Sequence, residues 1–503
     1  MIRIEHCDTN MFNIFKAVSY THLDVYKRQN VFLGEVSYIT KALALVLQLG
    51  VTMDYSIFLL HRYQEEKNKT SNRDEAMSNA IQATFTSITS SSVTTIAGFL
   101  ALCAMQLTLG KDIGIVMAKG VIFGVLSTII ILPSLLMRFD KYIEKWKHPI
   151  ILKEPKKLPA FLTKHYKGIL VIFLVLFIPM GYAQNHTKVY YDLSANMPQD
   201  FASIIGTNKL KDQFHMTTTH FLLVDENLEN YQIKEICDEV EKLNGVYSVV
   251  SYESLIGGRI PTQLEPEAVK TILNNGGKKM ILVNSTYRAA TDEENEQLDK
   301  IDNIMHKYDK HAVIAGEGSL TRDLITTTDI DFKMVNILSV LAIFLIIVIT
   351  FKSLALPVIL VASIEFAICI NMGIPYFTGS VLPFIASIVI GTIQLGATVD
   401  YAILMTTRYK EELSNGKPVI EAAREAAAKS APSIITSGLS FFAACIGVSF
   451  IAKMDLIKSL CTLISRGAVI SMLVILLVLP ALLIIFHKAI EKTTKGWPKA
   501  NLK

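Results

Sequence analysis

Two aspartates stand inside apolar runs where an ionised carboxylate is out of place: Asp54 within Thr40–Leu60 and Asp400 within Val381–Met405. Each is followed by a tyrosine (Tyr55, Tyr401) and, eight residues after the aspartate, by an arginine (Arg62, Arg408). On a helix this spacing puts each carboxyl roughly 12 Å inside the boundary that the arginine marks. A charge at that depth costs at least a few kcal/mol, so the group is paired, protonated or functional. Such a carboxyl can load and unload a proton, and a neighbouring phenol hydroxyl can orient it or pass the proton on. The plainer readings are a neutral aspartate bonded to a neighbouring helix and tyrosines that simply pack with satisfied hydroxyls.

The two sites are copies of one another. Gln48-Leu-Gly-Val-Thr-Met-Asp54-Tyr55 recurs as Gln394-Leu-Gly-Ala-Thr-Val-Asp400-Tyr401. Both continue without a gap to Arg62-Tyr63-Gln-Glu65-Glu66 and Arg408-Tyr409-Lys-Glu411-Glu412. The offset of 346 still holds at Ser87/Ser433, Ile88/Ile434 and Ser91/Ser437, and Ile131-Leu-Pro-Ser-Leu-Leu matches Val478-Leu-Pro-Ala-Leu-Leu at 347. Ser91 and Ser437 could support the acids by hydrogen bonding, although small residues on membrane helices more often serve close packing, as does Gly120-x-x-x-Gly124. Glu365 is a third acid inside an apolar run; it faces a substrate path, or pairs with Asn371 or a backbone group. Arg62, Glu65 and Glu66, with Arg408, Glu411 and Glu412, read as interfacial ion pairs that tie each helix to its following loop.

The elements that must hold these residues follow from composition. Of 503 residues, 51% are hydrophobic and 19% charged, with a mean hydropathy of +0.39. The excess is concentrated in runs of roughly 20 residues, each long enough to cross a hydrocarbon layer about 30 Å thick. A soluble enzyme, a disordered chain and a small secreted scaffold are thereby excluded. Nine runs are candidate spans: Thr40–Leu60, Ile81–Met105, Ile113–Met137, Ile169–Gln184, Met334–Phe351, Leu356–Tyr376, Val381–Met405, Ser433–Ile451 and Gly467–Phe486. The fourth is short and is expected to begin nearer Tyr166. The segments Arg62–Arg73, Arg138–Lys167, Arg408–Lys429 and the tail after His487 are basic and alternate to one side, which the positive-inside rule makes cytoplasmic. Lys453, Lys458 and Arg466 then fall outside, a minor violation. The net charge of +4 suggests no nucleic-acid partner. No P-loop, metal-ligand cluster or nucleophile–base set appears, so no cofactor and no catalytic or metal site is expected.

Five spans separate the two aspartate-bearing spans, so the repeat unit is six spans with both copies pointing the same way. Residues 30–137 supply the last three spans of the first half, 138–167 a basic connector, and 168–184 the first span of the second half. Residues 185–331 form an outer segment, 332–486 the remaining five spans, and 487–503 a tail. The outer segment alternates strand and helix patterns: His220–Val224, Tyr231–Leu243 (helix), Val246–Ser251, Met280–Ser285, Asn295–Tyr308 (helix) and Ala312–Ala315. Two β-α-β units of this length suggest one ferredoxin-like α+β module or a pair. Val18 to Gln29 can be encoded by a nearly self-complementary DNA that resembles two joined sequencing adapters. Residues 1–29 are therefore read as an artefact and kept out of fold reasoning. By symmetry, roughly 180 residues carrying three spans and a first outer domain are expected to be missing, which would bring the total to twelve spans.

The paired Gly-x-x-x-Asp-Tyr signatures, each followed by Arg-Tyr-x-Glu-Glu, resemble the MMPL branch of the resistance-nodulation-division (RND) superfamily of exporters. So does the parallel six-span repeat with its large outer loop, and the resemblance covers residues 30 to 490. It implies a polytopic α-helical protein of a prokaryotic cytoplasmic membrane with an extracytoplasmic porter domain. It also implies a proton relay between the halves formed by Asp54, Tyr55, Asp400 and Tyr401. The implied activity is proton-driven export of a lipid or other hydrophobic substrate, with protons as coupling ion and membrane lipids as surroundings; self-association is left open. A non-pumping lipid sensor or scaffold and an accessory of protein secretion are the alternatives.

Overall fold

The computed structural model describes residues 36–70, 72–145, 155, 157–191, 200–256 and 273–499. The stretch at residues 1–29 lies outside them. In chain order, α1 (Tyr38–Lys67), α2 (Arg73–Ala101), α3 (Thr108–Leu126) and α4 (Tyr166–Asn185) come first. Then follow β1 (Thr218–Asp225), α5 (Asn230–Glu241), β2 (Val246–Val250), β3 (Lys278–Ser285), α6 (Asp292–Tyr308) and β4 (Val313–Gly316). The last helices are α7 (Glu317–Phe351), α8 (Ala355–Thr378), α9 (Phe384–Ser414), α10 (Val419–Ile451) and α11 (Asp455–Leu477). Among the described residues nine helical segments are long and apolar enough to cross a membrane, one for each apolar run, and the fourth does begin at Tyr166. Three begin well before their runs: α2 at Arg73, α7 at Glu317 and α10 at Val419. These extensions are polar, so hydropathy does not register them, but local signals start two of them. The Asn72 side chain accepts the Asp74 N–H, and Pro418 stands immediately before α10.

The chain divides into two compact units, residues 1–188, 331–453 and 457–503, and residues 189–330 with 454–456. In the first unit the repeated Leu-Pro motifs break their helices at matching places, because proline lacks the N–H that would continue the ladder. Just before Pro133 the third span passes through a π turn at Ser127–Ile131. The last span is interrupted at Val478, two residues before Pro480. α1 packs on α2 and α3 within its own half and on α10 of the other; α9 packs on α10 and, across the halves, on α2. Small residues permit this closeness. A Cβ on Gly98 of α2 would lie 3.2 Å from the Gly396 Cα of α9, one on Gly120 2.9 Å from the Gln48 side chain, and one on Gly124 against Thr52.

The second unit holds a sheet in the order β2-β3-β1-β4, every neighbouring pair antiparallel. With helices after β1 and β3, this is the ferredoxin-like arrangement, present once among the described residues. Strict alternation of burial along β1 gives the sheet one apolar face. Ile233, Ile236 and Val240 of α5 and Ile301 and Met305 of α6, at helical spacing, cover Leu222, Val224, Ile281 and Val283.

A crossed aspartate–tyrosine site between the two halves

Asp54 and Asp400 are both buried, and neither pairs with the tyrosine that follows it in sequence. The Asp54 carboxyl faces the hydroxyls of Tyr401 and Ser437 of the second half. The Asp400 carboxyl faces Tyr55, Ser91 and Thr95 of the first. A helix turns 100° per residue, so adjacent Asp and Tyr cannot point the same way; packing α1 on α10 and α9 on α2 brings each tyrosine to the other half's acid. Tyr55 donates to Thr95 Oγ1 (3.4 Å), which lies 3.5 Å from Asp400 Oδ1 and donates to the Gly396 carbonyl (2.9 Å). Ser437 Oγ donates to the Tyr401 hydroxyl at 3.1 Å. The two carboxyls are close enough to feel one another's charge. Each keeps one buried oxygen without a hydrogen-bond partner, Oδ1 of Asp54 and Oδ2 of Asp400. Two carboxyls within reach of one another's charge, each with an unpartnered oxygen, form an arrangement that a proton can satisfy and its loss can unsettle.

The halves are not identical here. Thr95 corresponds by the repeat offset to Phe441, whose ring fills the space beside Gly50. A search for identical residues passes over Thr95; the usable signal is a hydroxyl one helical turn after Ser91. Ser91 and Ser437 do face the acids, and Ser91 Oγ also donates to the Ile88 carbonyl at 3.4 Å.

At the basic helix ends the expected tie from helix to loop holds for only part of the network. Arg62 reaches Glu411 (3.2 Å) and Arg408 reaches Glu65 (2.7 Å), so these pairs cross between halves; each arginine also holds the glutamate three residues on in its own helix. The crossing follows from the same packing, α1 on α10 and α9 on α2, that brings the Asp–Tyr pairs together. Glu66 takes Arg62 and Lys69, and Glu412 takes Lys417 and Lys429, which do bind helix to following segment. A further matched pair was not read from sequence. Tyr63 donates to the buried Asp140, which Lys67 and Arg73 also engage, and at the equivalent positions Tyr409 bonds His487 at 2.9 Å. The offset of 347 between Asp140 and His487 was the available signal.

Glu365 is not part of the aspartate cluster. It faces a small pocket with Gln184, Asn336, Ser387 and Thr392, and its Oε1 has no partner. It does not pair with Asn371, whose amide is taken by Gln394 (2.8 Å) and the Leu463 carbonyl (3.1 Å), while Arg466 donates to its oxygens. Arg466 is thus folded into the helix bundle by Asn371.

Residues 18–152 and 198–501 match the MMPL family. The membrane protein YdgH of Bacillus subtilis is 26% identical over 341 residues, 66% of this chain and 36% of that protein. The heme uptake protein MmpL11 of Mycobacterium tuberculosis is 24% identical over 181 residues, 36% of this chain and 19% of that one. Among solved structures, SecDF of Thermus thermophilus, a translocon-associated membrane protein, superposes with a TM-score of 0.60 at 14% identity, over 93% of this chain and 58% of that one. The likeness to SecDF is one of fold. The chain spans less than two thirds of the length of each of these proteins.

Proposed function

The chain belongs to the MMPL family of multi-pass membrane proteins, and from that premise we propose that it is a secondary active transporter coupling proton entry to export of a lipid or other hydrophobic substrate. The crossed Asp–Tyr layer supports this reading. A structural aspartate needs one satisfied bond inside its own bundle, whereas here both acids depend on hydroxyls of the opposite half. Loading a proton on Asp54 or Asp400 removes a buried charge and turns an unpartnered acceptor into an O–H donor. It thereby alters the contacts that join α1 to α10 and α9 to α2. Tyr55, Tyr401, Ser91 and Ser437 hold the carboxyls and can hand the proton on. The Arg62–Glu411 and Arg408–Glu65 bridges keep the basic ends of the halves together while that layer changes.

The ferredoxin-like unit we assign to passing the amphiphile outward. The name of MmpL11 makes haem a second cargo to test beside lipid. The test is proton entry into liposomes holding the intact protein under an imposed pH gradient. Asp54→Asn and Asp400→Asn should each lower the protein-dependent flux by about 100-fold or more, a typical loss for a positioned acid–base group. Full flux in both variants, with normal insertion, would remove the relay from the account.

A further inference from the structure

At the basic end of the membrane unit a small cleft of about 40 Å³, room for a few waters and partly open to solvent, lies between the two halves. Its wall nearest the acids is formed by Phe58 and Leu404, each one helical turn after its aspartate. Ala83 and Ile88 add apolar wall, and polar side chains come from both halves: Thr84 and Ser87 from α2, Ser430 and Ser433 from α10, His61 and Thr407 from α1 and α9. Thr84, Ser87 and Ser91 follow one face of α2 at intervals of three and four, and Ser430, Ser433 and Ser437 do so on α10. The upper member of each ladder touches an aspartate site, and the lower two line the cleft. Ser430 is 1% exposed and its Oγ has no hydrogen-bond partner. A buried, unpartnered hydroxyl on the wall of a cleft that other hydroxyls also line is a site for ordered water.

His61 breaks the symmetry, since its repeat equivalent is Thr407. It lies seven residues after Asp54 on the same face of α1, roughly 10 Å along the axis, too far for direct transfer and within reach of a short water chain. Its Nδ1 is held by Ser433 Oγ at 2.7 Å. Among the described residues the other ring nitrogen has no hydrogen-bond partner in the chain. Glu65 from its own helix and Arg408 from α9 act on the ring, and Arg62, Glu411 and Lys429 share the cleft wall.

Resting on the proton-relay reading, we propose that this cleft is the exit path for protons leaving the aspartates, with His61 as the group that takes each proton from the water chain and returns it to water on the basic side. The transfer balances: a protonated aspartate and neutral imidazole give carboxylate and imidazolium, and imidazolium and water give imidazole and hydronium. Phe58 and Leu404 form the one-turn apolar barrier that must part for water to join the two. Both ring nitrogens are needed in turn, and Ser433 holds the ring so that one faces the cleft.

The test uses the intact protein in liposomes, with pH-jump proton flux read by an internal dye. His61→Ala should slow flux about tenfold or more, and free imidazole on the basic side should restore most of it. His61→Gln, which keeps a hydrogen-bonding side chain toward Ser433 but cannot titrate, should be as slow as His61→Ala. Wild-type flux in His61→Ala, slow flux that imidazole does not recover, or full flux in His61→Gln overturns the exit role. Asp400→Asn is measured alongside: its loss of flux with an active His61→Ala sinks the exit path alone, whereas flux retained in Asp400→Asn sinks the relay beneath it.

Discussion

Gly50 and Gly396 occupy equivalent positions of the repeat, four residues before the aspartates, yet the structure predicts opposite responses to the same substitution. A Cβ on Gly50 would lie 2.2 Å from Phe441 Cδ2 and 2.7 Å from Cε2. Ordinary carbon contacts begin near 3.5 Å, so the ring must retreat by about 1.3 Å. Phe441 is only 2% exposed, and overpacking of this kind costs about 1–3 kcal/mol. A Cβ on Gly396 has its nearest neighbour, the Thr95 carbonyl, at 3.6 Å, an ordinary contact. Both substitutions gain a similar helix propensity, about 1 kcal/mol, which cancels in the comparison. Gly50→Ala should therefore be less stable than Gly396→Ala by about 1–3 kcal/mol, about a 5- to 150-fold difference in the unfolding constant. Reversible unfolding in mixed detergent micelles measures it. Phe441→Leu should close the gap in a double-mutant cycle. Equal stability of the two alanine variants, or no coupling between positions 50 and 441, would refute the crossed packing of α1 on α10.

Three further outcomes follow. The Arg408–Glu65 bridge is partly buried, so Arg408→Glu should cost about 1 kcal/mol or more, and adding Glu65→Arg should recover over half of it; a purely additive double variant contradicts the crossing. In the ferredoxin-like unit, burial pushes Glu294 up to about 7 and His220 down to about 4. The stability from Glu294 is full below its ordinary value of 4.5 and is lost as pH rises through 7; that from His220 is full above 6.5 and is lost as pH falls through 4. Glu294→Gln should thus stabilise the ferredoxin-like unit relative to the parent at about pH 8 but not at about pH 4.5, by up to about 3 kcal/mol. Hydrogen exchange of the β1 and β3 amides reads this, and an equal effect at both pH values counts against it. Burial also pushes the Cys237 thiol up to about 11, so maleimide should label it only on unfolding; rapid labelling of the native protein would show a more open sheet–helix core than the structure has.

Much of this architecture was legible because membrane spans and duplication leave strong marks in a chain. Among the described residues, apolar runs located the nine membrane-length helices, and the repeat located both acids. The polar extensions of α2, α7 and α10 escaped hydropathy because they carry no apolar run, although Asn72 and Pro418 mark where two of them start. The outer fold was readable from alternation along Thr218–Asp225 and the helical spacing of Ile233, Ile236 and Val240. Which groups meet was harder to read, because contact between halves depends on how helices pack and not on spacing along one of them. Asp54 meeting Tyr401 instead of Tyr55, and Arg62 meeting Glu411, are consequences of packing α1 on α10 and α9 on α2. Thr95 and His61 escaped for a related reason: a repeat search rewards identity, and these positions differ between the halves.

The central claim is that Asp54 and Asp400 act as one relay and not as two independent carriers. Proton flux into liposomes should be measured for Asp54→Asn, Asp400→Asn and the double variant in one series. A single relay predicts that each single variant is as inactive as the double, the non-additivity expected of groups that work as a unit. Single variants that each keep about half the flux, with loss only in the double, would show two separate paths and contradict the account.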